Sequence, residues 1–357
     1  MPRRRLVALS ALAVAALMAG PVSAKNINAQ NSYTVHDLRS DTGVGGSIAD
    51  GNLVNGWGIT AGPTTPWWVA NNGTGTSTLY RGDGTASALV VSVPNGPTGT
   101  VFNGSSTAFV VSSGTASGAA RFLFANEAGE IRGWNTGVPA ANSTVTEVGA
   151  TATDGASYKG LAIGNVGNDS FLYATDFHNA KVDVYDAGFV RQPWSLVDPG
   201  IPAGYAPFGI QNLNGTIFVT YAKQDADAGD EVAGEGFGFV SAFATDGSFL
   251  GRVASRGDLN APWGLAWAPA DQFGRFGGDL LVGNFGDGRI NAYAWTPSGW
   301  EGRGHLKTAN HHPLVVDGLW GIGFGNGGAA GPTTTLYFAA GPAAEEHGLY
   351  GSITFNP

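Results

Sequence analysis

The feature that most constrains the fold is a two-part phrase that recurs along the chain. In each copy, an apolar segment follows a small-residue turn, and a second apolar segment comes further along the chain. The clearest copy is NAPWGLA at 260–266 with LLVGNFGDGRINAY at 280–293. Self-similarity at a period of roughly 40–60 residues indicates a repeat architecture, and short strands at that spacing favour β-propeller blades. Degenerate copies begin at Asn55, Lys159, Ala206 and Gly318.

Counting the copies predicts an all-β fold, a six-bladed β-propeller, with five or seven blades as the alternatives. The ends of the chain predict how the ring closes. Residues 349–355 are a strand near the chain end, and the alternating segment 32–38 precedes the first repeat. Pairing of these two segments would close the last blade with the N-terminal strand and remove exposed sheet edges. The predicted first strands begin near Trp57, Gly99, Lys159, Phe208, Trp263 and Leu319.

The N-terminal residues are typical of a secretory signal. Three arginines at 3–5 precede an apolar run at 6–20 and the small-residue site Val22-Ser23-Ala24. A membrane-spanning helix needs about 20 apolar residues, and this run is shorter. We therefore expect a signal peptide at 1–24 cleaved after Ala24, a linker at 25–31 and one propeller domain at 32–357. The mature protein would be secreted or periplasmic, with no membrane insertion.

Charge and cysteine content exclude several classes of function. Removing residues 1–24 leaves 15 basic and 27 acidic residues, a net charge of −12. Such a charge argues against nucleic acid as a partner. The chain has no cysteine, which excludes disulfides and thiolate metal sites. We expect a monomer stabilised by burial alone.

Several phrases occur together in this sequence: NAPWGLA, LLVGNFGDGRIN, YKGLA, APFGIQN and GLWG, and the closing FAAG with EEHGLYG. Together they resemble one family of uncharacterised secreted bacterial proteins, some of which carry a PEP-CTERM sorting tail. The resemblance spans residues 31–355 and implies a propeller similar to the NHL type, with no established activity or catalytic residue. In this sequence Pro357 follows the last strand with no such tail.

One face of the propeller should collect the polar residues of the repeats. In a blade, the turn between the second and third strands returns to the face where the first strand began. Carboxylate, amide and imidazole groups from both places would then surround the axis. The strand starts contribute Asn55, Lys159, Asn260 and Asp317, and the turns contribute Glu127, Asp176, His178, Asn284 and Asp287.

Two further groups are candidates for a divalent cation, calcium or zinc. The first is the cluster Glu345, Glu346 and His347 in the last hairpin. The second is an acidic insertion at 223–236, whose carboxylates are Asp225, Asp227, Asp230, Glu231 and Glu235. Carboxylates suit calcium, and imidazole suits zinc. The alternative is purely local, because Asp, Asn and Gly are also the residues that tight turns prefer, and a charged loop is often simply solvated.

Two functions therefore stay open. The first is an exported binding module that uses this face and the insertion to hold an extracellular protein, a polysaccharide or a small molecule. The second is a metal-dependent hydrolase of lactonase or esterase type with a cation in the central channel. No nucleophile elbow, phosphate loop or zinc-helix motif occurs in the sequence. The sequence therefore favours binding, and it does not decide whether the protein is an enzyme.

Overall fold

Six sheets follow one another around a ring in residues 30–357, the part of the chain that the computed structural model describes, and their strands are antiparallel except for one short outer pair in the last sheet. The predicted signal peptide, and all but the end of the predicted linker, lie outside the described residues. Three short 3₁₀ helices interrupt the strands, at Val44–Gly46, Asn72–Thr74 and Gly274–Phe276. No helix within residues 30–357 is long and apolar enough to cross a bilayer.

The first half of the chain forms two strands of the last blade and then three blades. Blade two carries an extra hairpin, and blade three has three strands. The strands are β1 (Tyr33–Ser40) and β2 (Ile48–Ala49); β3 (Gly56–Thr60), β4 (Trp67–Asn71), β5 (Thr76–Tyr80) and β6 (Ala86–Ser92) of blade one; β7 (Pro97–Phe102), the hairpin β8 (Val110–Ser113) and β9 (Ala116–Ala119), β10 (Phe122–Asn126), β11 (Glu130–Trp134) and β12 (Glu147–Thr151) of blade two; β13 (Tyr158–Val166), β14 (Asp169–Asp176) and β15 (Lys181–Asp186) of blade three.

The second half forms the remaining three blades. Blades four and five have four strands each, and blade six takes its outer strands from the N-terminal segment. The strands are β16 (Tyr205–Leu213), β17 (Thr216–Lys223), β18 (Gly238–Ala244) and β19 (Phe249–Ser255) of blade four; β20 (Pro262–Trp267), β21 (Leu280–Asn284), β22 (Ile290–Thr296) and β23 (Gly299–His305) of blade five; β24 (Leu319–Phe324), β25 (Leu336–Ala340) and β26 (Leu349–Phe355) of blade six.

The ring closes as predicted. Strand β1 pairs antiparallel with β26, from Tyr33 opposite Phe355 to Ser40 opposite Leu349. The N-terminal strand thus supplies the strand that blade six lacks, and the six-bladed prediction is confirmed, including the degenerate second blade.

A glycine in each inner strand lets neighbouring blades approach closely around the axis. A Cβ at Gly209 would lie 2.1 Å from the carbonyl oxygen of Trp263 in the next blade, and one at Gly264 would lie 2.4 Å from that of Trp320. No side chain fits at such distances, so only glycine is tolerated there. A similar close approach between inner strands occurs in the other blades. It also joins the sixth blade to the first, where Gly321 lies against the carbonyl oxygen of Trp57. The repeated glycine of the sequence phrase is therefore a requirement of the closed ring.

Candidate functional site

The predicted meeting of strand starts and hairpin turns is present at one face. In several blades, a backbone N–H of the turn donates to a carbonyl at or just before the start of the inner strand. Asn72 N donates to Asn55 O at 2.9 Å, and Gly286 N donates to Asn260 O at 3.1 Å. We call this surface the hairpin face. It consists of the turns and loops 72–75, 127–129, 177–180, 224–237, 285–289 and 341–348.

A buried ammonium group is the centre of the hairpin face. The Lys159 side chain is 2% exposed, and its Nζ lies 2.5 Å from Oε1 of Glu127 and 3.0 Å from Oδ1 of Asp230. Its Nζ also lies 5.3 Å from the centre of the Trp57 ring. Burial acts to lower the pKa of Lys159, but the two carboxylates more than offset it, so this pKa lies above its ordinary value. Lys159 is therefore a fixed positive charge.

Amide side chains hold further carboxylates beside Lys159. Asn55 Nδ2 donates to Oε2 of Glu345 at 2.5 Å, while Asn55 Oδ1 accepts from the indole N–H of Trp320 at 3.1 Å. Asn72 Nδ2 donates to Oε2 of Glu127 at 2.9 Å. Burial raises the pKa of Glu345, and the hydrogen bond from Asn55 and the charge of Lys159 oppose that rise. Three of the predicted residues from different blades, Asn55, Glu127 and Lys159, thus join one network with Glu345.

Glu231 adds a fourth carboxyl group near Lys159. Burial raises its pKa to about 8, the charge of Lys159 acts to lower it, and the negative charges of Glu345 and Asp230 raise it. The sequence identified Glu231 only as one acid of the insertion. The fold gives it a role, because a bridge between Gln224 and Glu231 makes the insertion a small hairpin.

The insertion spans residues 224–237 in blade four and is anchored to the two neighbouring blades, three and five. Gln224 Nε2 donates to the carbonyl of Phe177 at 2.7 Å, and Gly234 N donates to Oδ1 of Asn260 at 2.6 Å. His178 Nδ1 lies 3.2 Å from the carbonyl oxygen of Ala228. His178 and Asn260 therefore hold the loop that delivers Asp230 to Lys159.

The other three acids predicted in the insertion, Asp225, Asp227 and Glu235, lie elsewhere. Oδ1 of Asp225 accepts from the backbone N–H of Gly229 at 2.9 Å, which stabilises the turn of the loop itself. Asp227 and Glu235 are exposed. Of Asp225, Asp227 and Asp230, the structure brings Asp230 alone to Lys159.

Asn284, Asp287 and Asp317 hydrogen-bond to nearby turns and loops. Asn284 Nδ2 donates to the carbonyl of Asp258 at 2.8 Å and to Oδ1 of Asp287 at 3.1 Å. Asp317 accepts from the backbone N–H of Ala343 at 2.9 Å. These contacts are the turn chemistry that Asn and Asp favour.

The three predicted residues of the last hairpin lie in different surroundings. Glu345 joins the axial network, and Glu346 is exposed. His347 Nδ1 lies 2.7 Å from Oδ2 of Asp41, and this hydrogen bond raises the pKa of His347. The predicted cluster therefore does not act as a single set of ligands in this conformation.

A set of three close carboxylates occurs in blade three. Among residues 30–357, only Asp154, Asp176 and Asp183 bring three possible metal-ligand atoms within 4.8 Å of one another. Lys181 already contacts all three, at 2.6, 3.3 and 3.2 Å, and Arg191 contacts Asp154 and Asp183 at 2.9 and 2.7 Å. The protein's own cations thus already contact the set that contains the predicted residue Asp176. At the axis, Lys159 similarly contacts both Glu127 and Asp230.

Comparison with known proteins connects the chain to viral relatives. No protein-family model matches it. The uncharacterised protein L690 of Acanthamoeba polyphaga mimivirus is 32% identical over 340 residues, which cover 90% of this chain and 86% of the relative. The uncharacterised protein R648 of the same virus is 33% identical over 288 residues, covering 76% of this chain and 69% of the relative.

Solved structures share the fold at low sequence identity. A Bacteroides thetaiotaomicron protein of unknown function has a TM-score of 0.56 at 9% identity, covering 90% of this chain and 76% of its own. The soluble aldose sugar dehydrogenase of Escherichia coli, in its apo form, has a TM-score of 0.52 at 12% identity, covering 90% and 99%. At this identity the likeness concerns the propeller fold alone.

Proposed function

Because the chain belongs to the same family as the mimivirus proteins L690 and R648, whose names assign no activity, we propose its function from the chemistry of the hairpin face. The protein is an exported binding module that recognises a positively charged group of its partner. Export rests on the predicted signal peptide at 1–24 and on the resemblance to secreted bacterial proteins.

The observation that carries this proposal is the surplus of acid around Lys159. Glu127 and Asp230 contact the ammonium, and Glu345 accepts a hydrogen bond from Asn55. The half-buried Glu231 and Glu345 both lie near enough to interact with the charge of Lys159. With a pKa of about 8, the Glu231 carboxyl binds a proton at neutral pH. A cationic group of a partner would replace that proton and stabilise the ionised carboxylate.

The acids that surround the ammonium are accessible to a partner. The Asp230 side chain is 74% exposed and that of Glu127 is 36% exposed, whereas Lys159 itself is covered. A lysine or arginine side chain of an extracellular protein, an amino sugar of a polysaccharide and a small organic amine all fit this chemistry. Phosphate groups of nucleic acid would be repelled.

The second candidate is a metal-dependent lactonase or esterase, which needs several ligands directed at one ion. Lys159 contacts Glu127 and Asp230, and His178 and His347 contact Ala228 and Asp41 instead of the axis. The geometry therefore favours binding over hydrolysis.

The test measures binding of a tetralysine peptide by titration calorimetry at pH 7 in two buffers with different ionisation enthalpies. We expect binding to release protons and to tighten as the pH rises through the pKa of Glu231. The variant Glu231→Gln/Glu345→Gln should weaken binding by about tenfold, since hydrogen bonds to charged groups contribute about 1.5–3 kcal/mol.

The matched control is Asp169→Asn/Asp271→Asn, which likewise converts two carboxyl groups to amides, at exposed acids outside the turns of the hairpin face. This variant should bind like the wild type. Equal weakening of both variants would show that net charge alone attracts the peptide, and absence of binding to the wild type would refute the proposal.

A further inference from the structure

The other face of the ring, where the inner strands end, contains a cleft of ≈ 990 Å³. It extends across blades one, four, five and six, with Thr60, Leu213, Trp267 and Phe324 at the ends of the four inner strands. Its size is at the upper end of the range of small-molecule sites, about 300–1,000 Å³. The sequence repeat does not predict this cleft, because its walls come from the loops that differ between blades.

The walls of the cleft are fixed by buried packing and hydrogen bonds. Loop 268–279 forms one wall, and its Phe273 and Phe276 are fully buried. Both rings pack against Tyr33, whose hydroxyl donates to the carbonyl of Phe273 at 3.0 Å. Asn326 Nδ2 bridges to the carbonyls of Gly62 and Thr65 at 2.8 and 2.9 Å and joins two other loops. The cleft is thus preformed, which reduces the entropy lost when a ligand binds.

Tryptophan side chains give the cleft an apolar, aromatic surface. Trp267 and Trp295 line it, and both pack on Trp300 with ring centres 6.2 and 5.4 Å apart. The Trp295 residue is 39% exposed, high for so large an apolar residue. These rings favour a ligand with an aromatic or aliphatic body.

The charge of the cleft is opposite to that of the protein as a whole. Among residues 30–357, no Asp or Glu lines it, although the chain has 27 acidic residues, and Arg303 is the one charged lining residue in that range. Arg303 forms no ion pair with any residue from 30 to 357, and its Nε is buried without a hydrogen-bond partner. A buried donor without a partner is unfavourable, and an anionic oxygen would satisfy it.

We infer that this cleft is a second binding site, which takes a small molecule with an apolar or aromatic body and one anionic group. Arg303 binds the carboxylate, sulfonate or phosphate of the ligand, and Trp267 and Trp295 contact its body. Gln211 lies at the inner end of the cleft, where its amide can hydrogen-bond to a polar substituent. The inference concerns the opposite face and does not depend on the function proposed for the hairpin face.

The test uses two fluorescent probes of nearly the same shape. The probe 8-anilinonaphthalene-1-sulfonate carries an anionic group on an aromatic body, and N-phenyl-1-naphthylamine is its uncharged counterpart. We expect the folded wild-type protein to bind both. Arg303→Gln should weaken the sulfonate probe by about tenfold or more, as expected for a lost charge-assisted hydrogen bond, with little effect on the neutral probe. Trp295→Ala should weaken both.

The chain offers a matched control in a second aromatic groove of ≈ 580 Å³. Arg121 lies there beside Trp68 and Phe122, with its guanidinium 5.0 Å from the Phe102 ring centre. Arg121→Gln should leave both affinities unchanged, and circular dichroism melting confirms that each variant is folded. Equal sulfonate affinity in the wild type and Arg303→Gln would overturn the inference, as would a loss confined to Arg121→Gln or no binding by the wild type.

Discussion

Removal of the Tyr33 side chain should open the ring at its closure strand. Tyr33 is 1% exposed in β1, and its ring centre lies 4.9 Å from that of Phe273 and 5.7 Å from that of Phe355 in β26. Truncating a fully buried aromatic residue to alanine costs about 3–5 kcal/mol of unfolding free energy, because apolar contacts are lost and a cavity remains. Tyr33→Phe should cost about 0.5–1.5 kcal/mol, the contribution of one hydrogen bond, because it removes the bond to the Phe273 carbonyl.

Urea unfolding followed by the fluorescence of the ten tryptophans measures these differences. The control is His36→Ala in the same strand, where the side chain is exposed. This variant should stay within about 0.5 kcal/mol of the wild type, as surface substitutions generally do. If Tyr33→Ala destabilises the protein by less than about 1 kcal/mol, or no more than His36→Ala does, the β1–β26 closure does not contribute to stability as argued.

Two other predictions concern the axis. Gly209→Ala should destabilise the protein by about 1–3 kcal/mol, because its Cβ would overlap the Trp263 carbonyl oxygen; in the same urea assay, Gly51→Ala, with no atom within 4 Å, should be nearly neutral. Because burial raises the pKa of Glu231, the protonated side chain contributes to the stability of the folded protein. This contribution is complete below pH 4.5, the ordinary pKa, and is lost as the pH rises through about 8. Glu231→Gln should therefore flatten the fall in melting temperature between these pH values, and an unchanged pH profile would contradict the assignment.

The repeats made the fold predictable at the level of blades. The phrase around Trp263 combines apolar strand residues with a glycine at a fixed place, and Gly264 has the same environment as Gly209 and Gly321. One physical requirement, close approach of inner strands, thus produced the pattern from which the blades were counted. The closing strand was also predictable, since the alternation at 32–38 has no partner within its own repeat.

The site around Lys159 was predictable only in part, because a repeat shows which residues lie on the same face but not which of them touch one another. Asn55, Glu127 and Lys159 meet there because they occupy comparable places in different blades. Asn284 and Asp287 occupy such places too, yet they hydrogen-bond within their own turn. The histidines were misleading for a related reason. His347 pairs with Asp41, a residue of the N-terminal segment that the repeat does not contain.

Aromatic packing at the axis separates the two faces physically. Trp57 and Trp320 stack with ring centres 3.7 Å apart directly under Lys159, and Phe285 stacks on Trp320 at 4.0 Å. Below them, a cavity among the inner strands measures ≈ 20 Å³, room for about one water molecule. This packing blocks a path from the cleft to Lys159. A ligand at either proposed site would therefore exchange with solvent on its own side of the ring.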